Sequence, residues 1–175
     1  DGSPGPKIHN PRDCYHPQNY DNIFRGPVSL RQAIAQSLNL PSVKLLYLAG
    51  LHDSIKTASD MGITTLTDPD RYGLTLVLGG GEVTLLEMTS AFGVFANDGI
   101  RRPANAILRV QAQDGRVLEQ KKELAIPAID SEVARMISDV LSDNDARIPM
   151  FQPRSALFFE GRDVAVKTGT TQNYH

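Results

Sequence analysis

The segment Val164-Ala165-Val166-Lys167-Thr168-Gly169-Thr170 is the most distinctive stretch of this chain. Its apolar start predicts a short strand over 163–166, and the lysine that follows supplies a fixed positive charge. The two threonine hydroxyls can donate to a carboxylate or a carbonyl, and the glycine lets another backbone lie close to the strand. A lysine followed by a Thr–Gly turn at the end of a strand would have the same sequence without any catalytic function, so the segment alone leaves this structural interpretation open.

The composition of the chain indicates a globular protein and excludes several classes of partner. Of the 175 residues, 41% are apolar and 22% are charged, which is close to the globular average. The net charge of −2 gives no indication of a nucleic-acid partner or an anionic membrane surface. The longest nearly apolar run, 45–51, is too short to span a bilayer, so we expect any membrane anchor to lie outside this chain.

The cysteine and histidine content gives no indication of a disulfide or a metal site. Cys14 is the single cysteine, which excludes an internal disulfide. His9 and His16 lie near it in the sequence, but a fourth ligand at a recognisable spacing is absent. We therefore expect no metal site at these residues.

The pattern of apolar, capping and turn residues divides the chain into four parts. Capping boxes are predicted at Ser29 with Gln32 and at Thr84 with Glu87, and Asp114-Gly115 predicts a hairpin between strands over 106–113 and 116–120. A short helix is also expected over 53–61. The predicted parts are an extended N-terminal loop (1–28), a helical part (29–99), a hairpin region (100–129) and a final helix and strand (130–175).

Two Ser-x-Asn triplets occur, and they have different local settings. Ser142-Asp143-Asn144 lies at the polar end of a predicted helix, which is typical of a C-terminal turn. Ser37-Leu38-Asn39 lies between two apolar helices, where the polar side chains would either cap the second helix or face a cleft. The residues alone leave both readings of the second triplet open.

Several longer stretches resemble, in order and over nearly the whole chain, the transpeptidase domain of class A (bifunctional) penicillin-binding proteins. That family combines an S-x-x-K, an S-x-N and a K-T-G motif. The resemblance selects Ser37-Leu38-Asn39 as the second motif and Lys167-Thr168-Gly169 as the third. The stretches that carry it are 15–21, 24–33, 36–41, 78–89, 95–97 and 164–171.

The resemblance implies a fold and a chemistry. The fold would be α/β (α+β), of the penicillin-binding transpeptidase and serine β-lactamase-like type, with an antiparallel sheet flanked by helices. The activity would be D,D-transpeptidation of peptidoglycan stem peptides through a serine acyl-enzyme, which β-lactams would block. The enzyme would work outside the cytoplasmic membrane, without cofactor, metal or nucleic acid.

The chain departs from the family pattern in one respect. It contains no Ser-x-x-Lys, the motif that carries the nucleophile in this family. We therefore expect a partial domain over 1–175, incomplete at both ends, whose nucleophile and remaining strands come from complementary segments or chains of the same domain. A non-catalytic sensor or binding module with this fold is the alternative.

The resemblance also implies roles for individual residues. Ser37 would relay a proton between the absent lysine, the leaving amine and Lys167. Asn39 would hydrogen-bond that absent lysine and the substrate amide, and Lys167 would keep the local potential positive. Ser37 and Lys167 should therefore lie within about a water-bridged hydrogen bond of each other, with Ser142 elsewhere.

The remaining motif residues would bind substrate. The hydroxyls of Thr168 and Thr170 would hold the carboxylate of a stem peptide or of a β-lactam. Gly169 would leave room for the substrate backbone, and the Thr170 N–H would be one donor of an oxyanion hole.

Overall fold

The computed structural model describes residues 16–169, and helices are the main secondary structure of this part of the chain. Seven α-helices and one 3₁₀ helix, Gly73–Leu78, occur within the described residues. The α-helices are α1 Leu30–Ala35, α2 Asn39–Ala49, α3 Leu51–Asp60, α4 Pro69–Tyr72, α5 Leu85–Ala96, α6 Ser131–Ser142 and α7 Asn144–Phe151. None of the helices between residues 16 and 169 is long and apolar enough to cross a membrane.

Four short strands form two antiparallel pairs within the described residues. The first pair is β1 (Ile100–Arg101) with β4 (Ile126–Pro127), and the second is β2 (Arg109–Gln111) with β3 (Val117–Gln120). The β2–β3 pair confirms the predicted hairpin, although both strands are shorter than predicted. Gly115 lies at φ +84° in its turn, a conformation that favours glycine.

The described residues fall into two compact units. The first contains residues 16–54, 68–81 and 139–169, and the second contains 55–67 and 82–138. In the first unit α1 contacts both α2 and α7. Leu38, between α1 and α2, is 1% exposed and forms part of the core of this unit.

The predicted capping box at the start of α1 is confirmed. The Gln32 N–H donates to Ser29 Oγ at 3.2 Å, and the Ser29 N–H donates to Gln32 Oε1 at 3.0 Å. These bonds satisfy two backbone donors that the first turn of a helix leaves unpaired. They fix where α1 begins, and the helix ends at Ala35, two residues before Ser37.

The predicted box at the start of α5, in the second unit, is only half formed. The Glu87 N–H donates to Thr84 Oγ1 at 3.2 Å, as expected. The Glu87 carboxylate accepts from the Thr84 hydroxyl at 3.2 Å, and it also accepts hydrogen bonds from the N–H of Thr64 at 2.9 Å and from the Thr64 hydroxyl at 2.5 Å. The glutamate thus ties α5 to the loop after α3, a contact that the local sequence does not encode.

A turn that we call the elbow, residues 139–147, joins α6 to α7 in the first unit. Ser142 ends α6, as predicted, and Asp143 caps α7 by accepting from the Ala146 N–H at 2.8 Å. Arg31 of α1 pairs with Asp139 and, at 2.8 Å, with Asp143. The elbow is therefore tied to α1 by charge as well as by packing.

The predicted strand over 163–166 is wrong for the described residues. No strand lies beside this segment between residues 16 and 169, so the hydrogen-bonded ladder that defines a strand is not formed there. The Val166 N–H instead donates to the carbonyl of Leu141, in the elbow, at 2.9 Å. The segment is positioned by a helix end.

Removal of the Asp143 carboxylate should destabilise the elbow. We expect Asp143→Ala to lower the free energy of unfolding by about 1 kcal/mol, because the α7 cap and the Arg31 pair are both lost. Asp143→Asn keeps an oxygen for the Ala146 N–H and loses only the charge, so its effect on urea unfolding should be smaller. Equal losses in the two variants would contradict this account.

The charge contribution of Asp143 should also depend on pH. The hydrogen bond from the Ala146 backbone, together with Arg31, holds the pKa of the Asp143 carboxyl below its usual value. A carboxyl with a lowered pKa adds stability above its unfolded-state pKa and loses it as the pH falls through the folded-state pKa. The stability difference between wild type and Asp143→Asn should therefore shrink below about pH 4.

Candidate active site

Ser37 and Lys167 meet in the first unit, although 130 residues separate them in the sequence. Lys167 Nζ donates to Ser37 Oγ at 2.7 Å and to the carbonyl oxygen of Thr168 at 2.9 Å. The expected proximity of the two motifs is confirmed, and the contact is direct. A serine hydroxyl bonded to an ammonium is a pair through which a proton can pass.

The backbone places Ser37 in an unfavourable conformation at the end of α1. Its φ is +55°, in the left-handed region that non-glycine residues rarely adopt. The Ser37 N–H donates to the Ile34 carbonyl at 3.1 Å, and the Leu38 N–H donates to the Ala33 carbonyl at 2.9 Å. These bonds and the burial of Leu38 hold the strained turn, and strain of this kind is frequent at functional sites.

Lys167 has a perturbed titration. The residue as a whole is exposed, but protein atoms crowd its ammonium, and this desolvation lowers the pKa of Lys167 below that of an ordinary lysine. The described residues give it no carboxylate partner within salt-bridge distance. The lysine can therefore lose its proton more readily than a free lysine does.

Asn39 is held by the segment that precedes α1. Its Nδ2 donates to the Gln18 carbonyl at 2.8 Å, while the buried Asn19 accepts from the Leu40 N–H at 3.1 Å through Oδ1. Neither Ser37 nor Asn39 caps α2, whose N-cap is Leu38 without a side-chain hydrogen bond. The capping alternative for this triplet is therefore wrong. The contact with Gln18 was not predicted, although Gln18 lies in a stretch that carried the resemblance.

The residues predicted to bind substrate, in the third motif, follow Lys167 directly in the sequence. A Cβ placed on Gly169 would meet no protein atom within 4 Å, so the space beside it is open. Thr168 is half-buried. The predicted roles of Thr170 fall outside the described residues.

The competing triplet, Ser142-Asp143-Asn144, is used for structure. Ser142 Oγ donates to the Asp139 carbonyl at 3.2 Å, within α6, and Asp143 caps α7. The hydrogen bonds of Lys167 go to Ser37 and Thr168. The geometry thus favours Ser37-Leu38-Asn39 as the motif that faces the lysine.

Residues 16–169 contain no group of three or more histidine, cysteine, aspartate or glutamate side chains that could hold a metal ion. His9 and Cys14, which were considered as ligands together with His16, lie outside the described residues.

Comparison with protein families identifies the class of this domain. Residues 3–175 match the family model described as the penicillin-binding protein transpeptidase domain. The chain is 31% identical over 162 residues to penicillin-binding protein 1A of Neisseria cinerea and 29% identical over 167 residues to penicillin-binding protein 4 of Bacillus subtilis. These matches include 90% and 92% of this chain but only 20% and 25% of the two relatives.

Solved structures show the same fold. Penicillin-binding protein A of M. tuberculosis, solved as an imipenem acyl-enzyme complex, matches with a TM-score of 0.72 and 18% identity over 93% of this chain and 41% of its own. The D,D-transpeptidase domain of a peptidoglycan glycosyltransferase from Eggerthella lenta matches with a TM-score of 0.68 and 19% identity over 88% of this chain and 44% of its own. The chain belongs to the penicillin-binding protein transpeptidase family, and the predicted family and fold class are confirmed.

The strain at Ser37 can be measured. Ser37→Gly and Ser37→Ala both remove the hydroxyl, but only glycine adopts a φ of +55° without a steric penalty. We therefore expect the glycine variant to be more stable than the alanine variant by about 1 kcal/mol in urea unfolding. A more stable alanine variant would show that the turn is unstrained.

Proposed function

We propose that this chain supplies the second and third motifs of a serine-type D,D-transpeptidase that cross-links peptidoglycan stem peptides. The observation that carries the proposal is the hydrogen bond of 2.7 Å from Lys167 Nζ to Ser37 Oγ. Membership of the transpeptidase family supplies the reaction class, acyl transfer. The substrate follows from the open third motif, where a peptide carboxylate can meet a fixed positive charge.

The acyl-accepting serine comes from outside these residues. The 175 residues contain no Ser-x-x-Lys, and the chain spans 20% of the length of its Neisseria relative. Ser37 therefore acts as a proton relay and is not the nucleophile. Its hydroxyl can pass a proton to the leaving amine while accepting one from Lys167, so no free hydroxide or hydronium is required.

Lys167 has two tasks in this scheme. Its positive charge stabilises the negative charge that develops on the acyl oxygen and attracts the substrate carboxylate. Its lowered pKa, caused by desolvation, lets it exchange a proton with Ser37 during turnover. Asn39 orients the substrate amide, and its side chain is held by its hydrogen bond to the Gln18 carbonyl.

The third motif binds the substrate as an added strand. Thr168 and Thr170 hold the terminal carboxylate through their hydroxyls, and the Thr170 N–H contributes to the oxyanion hole. The open space beside Gly169 admits the peptide backbone. A β-lactam would occupy the same position as a mimic of the stem peptide. The site would lie outside the cytoplasmic membrane, where peptidoglycan is, with the anchor of the parent protein elsewhere.

Complementary segments of the same domain complete the sheet. Residues 163–169 have no strand neighbour within the described part of the chain. Several large apolar side chains elsewhere in it are exposed, among them Leu48, Leu85 and Phe159. Extended backbone without a strand neighbour and uncovered apolar surface both favour association. The alternative, a non-catalytic sensor, is favoured by the missing Ser-x-x-Lys alone.

Covalent labelling with a fluorescent penicillin distinguishes the two functions. We expect the intact protein to form a stable adduct and the isolated chain 1–175 to form none. Lys167→Ala in the intact protein should slow acylation by about 10²- to 10⁴-fold, because a proton-transfer group is lost. Lys122→Ala, which removes an exposed lysine of the second unit, should label like wild type.

Absence of label on the intact protein would support the sensor and contradict the enzyme. Stoichiometric labelling of the isolated chain would show that another serine, such as Ser37, is acylated.

The isolated chain should also be unstable without its complementary segments. Each buried backbone group left unpaired costs about 1–3 kcal/mol, against a total stability of roughly 5–15 kcal/mol for a domain. We expect urea unfolding of monomeric 1–175 to show a broad transition at low denaturant. A single cooperative transition with a midpoint typical of an intact domain would contradict the incomplete sheet.

A further inference from the structure

The carbonyl of Leu141, in the elbow, accepts two hydrogen bonds. One comes from the N–H of Val166, at 2.9 Å, in the residue directly before Lys167. The other comes from the guanidinium of Arg147, in the second turn of α7. The backbone just before Lys167 and the side chain of Arg147 therefore share one acceptor, the carbonyl oxygen of Leu141.

Arg147 is an unusual residue to find in this position. It is 4% exposed, and within the described residues its Nε has no hydrogen-bond partner. Burial of a guanidinium is costly unless the charge is compensated. Within the described residues Arg147 forms no ion pair, and Asp143, whose pKa its charge helps to lower, is paired with Arg31. The hydrogen bond that the structure shows for Arg147 goes to Leu141, so this costly side chain is directed at the carbonyl that holds Val166.

The segment that carries Ser37, the hydrogen-bond partner of Lys167, is attached to the same elbow. Gln36, directly before Ser37, is 5% exposed and donates from Nε2 to the carbonyl of Ala146 at 3.2 Å. Ala146 is the neighbour of Arg147 in α7. Ser37 and Lys167 are thus each one residue away from a group bonded to residues 141–147.

We propose that Arg147 is a positioning residue that sets the distance between Ser37 and Lys167, with Gln36 as its counterpart on the serine side. Arg147 does not touch the reacting groups. It fixes the Leu141 carbonyl, which fixes Val166 and with it the start of the third motif. The inference rests on the proposed function for its effect on catalysis, but its effect on Lys167 does not depend on that function.

The test compares three arginine variants in the intact protein. Arg147→Met keeps most of the side-chain volume and removes the donors, whereas Arg147→Lys keeps the charge and one group that can donate to Leu141. Arg154→Met is the matched control, because Arg154 is an exposed arginine of the same unit whose ion pair with Glu160 is long, at 3.8 Å. Gln36→Met tests the serine side without removing a buried charge.

Two measurements are made on each variant. The first is the rate of acylation by a fluorescent penicillin. The second is the pKa of Lys167, obtained from the pH dependence of its labelling by an amine-reactive reagent and read out by mass spectrometry. The second measurement reports the surroundings of the ammonium whether or not the protein is a transpeptidase.

We expect Arg147→Met to slow acylation by about 10- to 100-fold, the effect of a displacement near 1 Å in an active site. The pKa of Lys167 should rise toward that of an exposed lysine, because a displaced ammonium regains water. Gln36→Met should slow acylation in the same direction, Arg147→Lys should recover most of the loss, and Arg154→Met should match wild type.

The variant Val43→Ala distinguishes a general loss of stability from a loss of positioning, because it creates a cavity in the core beside α2 of the same unit. This variant should lower the unfolding midpoint and leave the pKa of Lys167 unchanged. If Arg147→Met folds and its Lys167 titrates as in wild type, the positioning role is overturned. If Arg147→Met does not fold, a wild-type acylation rate together with an unchanged pKa of Lys167 in Gln36→Met overturns the proposal, because the elbow then does not set the distance between Ser37 and Lys167. A wild-type protein that takes no label refutes the proposed function, while the pKa of Lys167 still decides the role of Arg147.

Discussion

The hydrogen bond between the Val166 N–H and the Leu141 carbonyl is the constraint on which the site depends. Residues 163–169 have no strand neighbour within the described residues. The hydrogen bond to the end of α6 therefore positions this segment, as pairing with a neighbouring strand would position a strand in a sheet. From this attachment the chain leads directly into Lys167, whose ammonium reaches Ser37. If the contact were lost, no local preference of the sequence would bring the two motifs together.

The elbow between α6 and α7 combines several kinds of interaction within nine residues. Asp143 caps α7 and pairs with Arg31, while Arg147 and Gln36 add bonds from buried polar side chains. Buried polar groups destabilise the folded chain when they are unpaired, and they favour a single packing arrangement when they are paired. The elbow therefore selects one arrangement of α1 relative to the third motif. Apolar packing alone is not directional and would tolerate several arrangements.

Strain and desolvation occur at the two ends of the same hydrogen bond. Ser37 has a left-handed backbone, and Lys167 has an ammonium with a lowered pKa. Both cost free energy in the folded chain, and both are held by contacts outside the motifs. This combination is expected of a site in which a serine and a lysine exchange a proton, and it agrees with the membership of the chain in a transpeptidase family.

The sequence by itself determined the helix start at Ser29, the hairpin at Asp114-Gly115 and the motif residues, because capping, turn preference and motif spacing act over a few neighbouring residues. Only the tertiary structure decided that Glu87 bonds to Thr64, that Asn39 bonds to Gln18, and that residues 163–166 are held by a helix end. It also decided which Ser-x-Asn triplet faces the lysine, although the resemblance had selected the correct one. These contacts join residues 21 to 130 positions apart, and local preference cannot encode a partner at that distance.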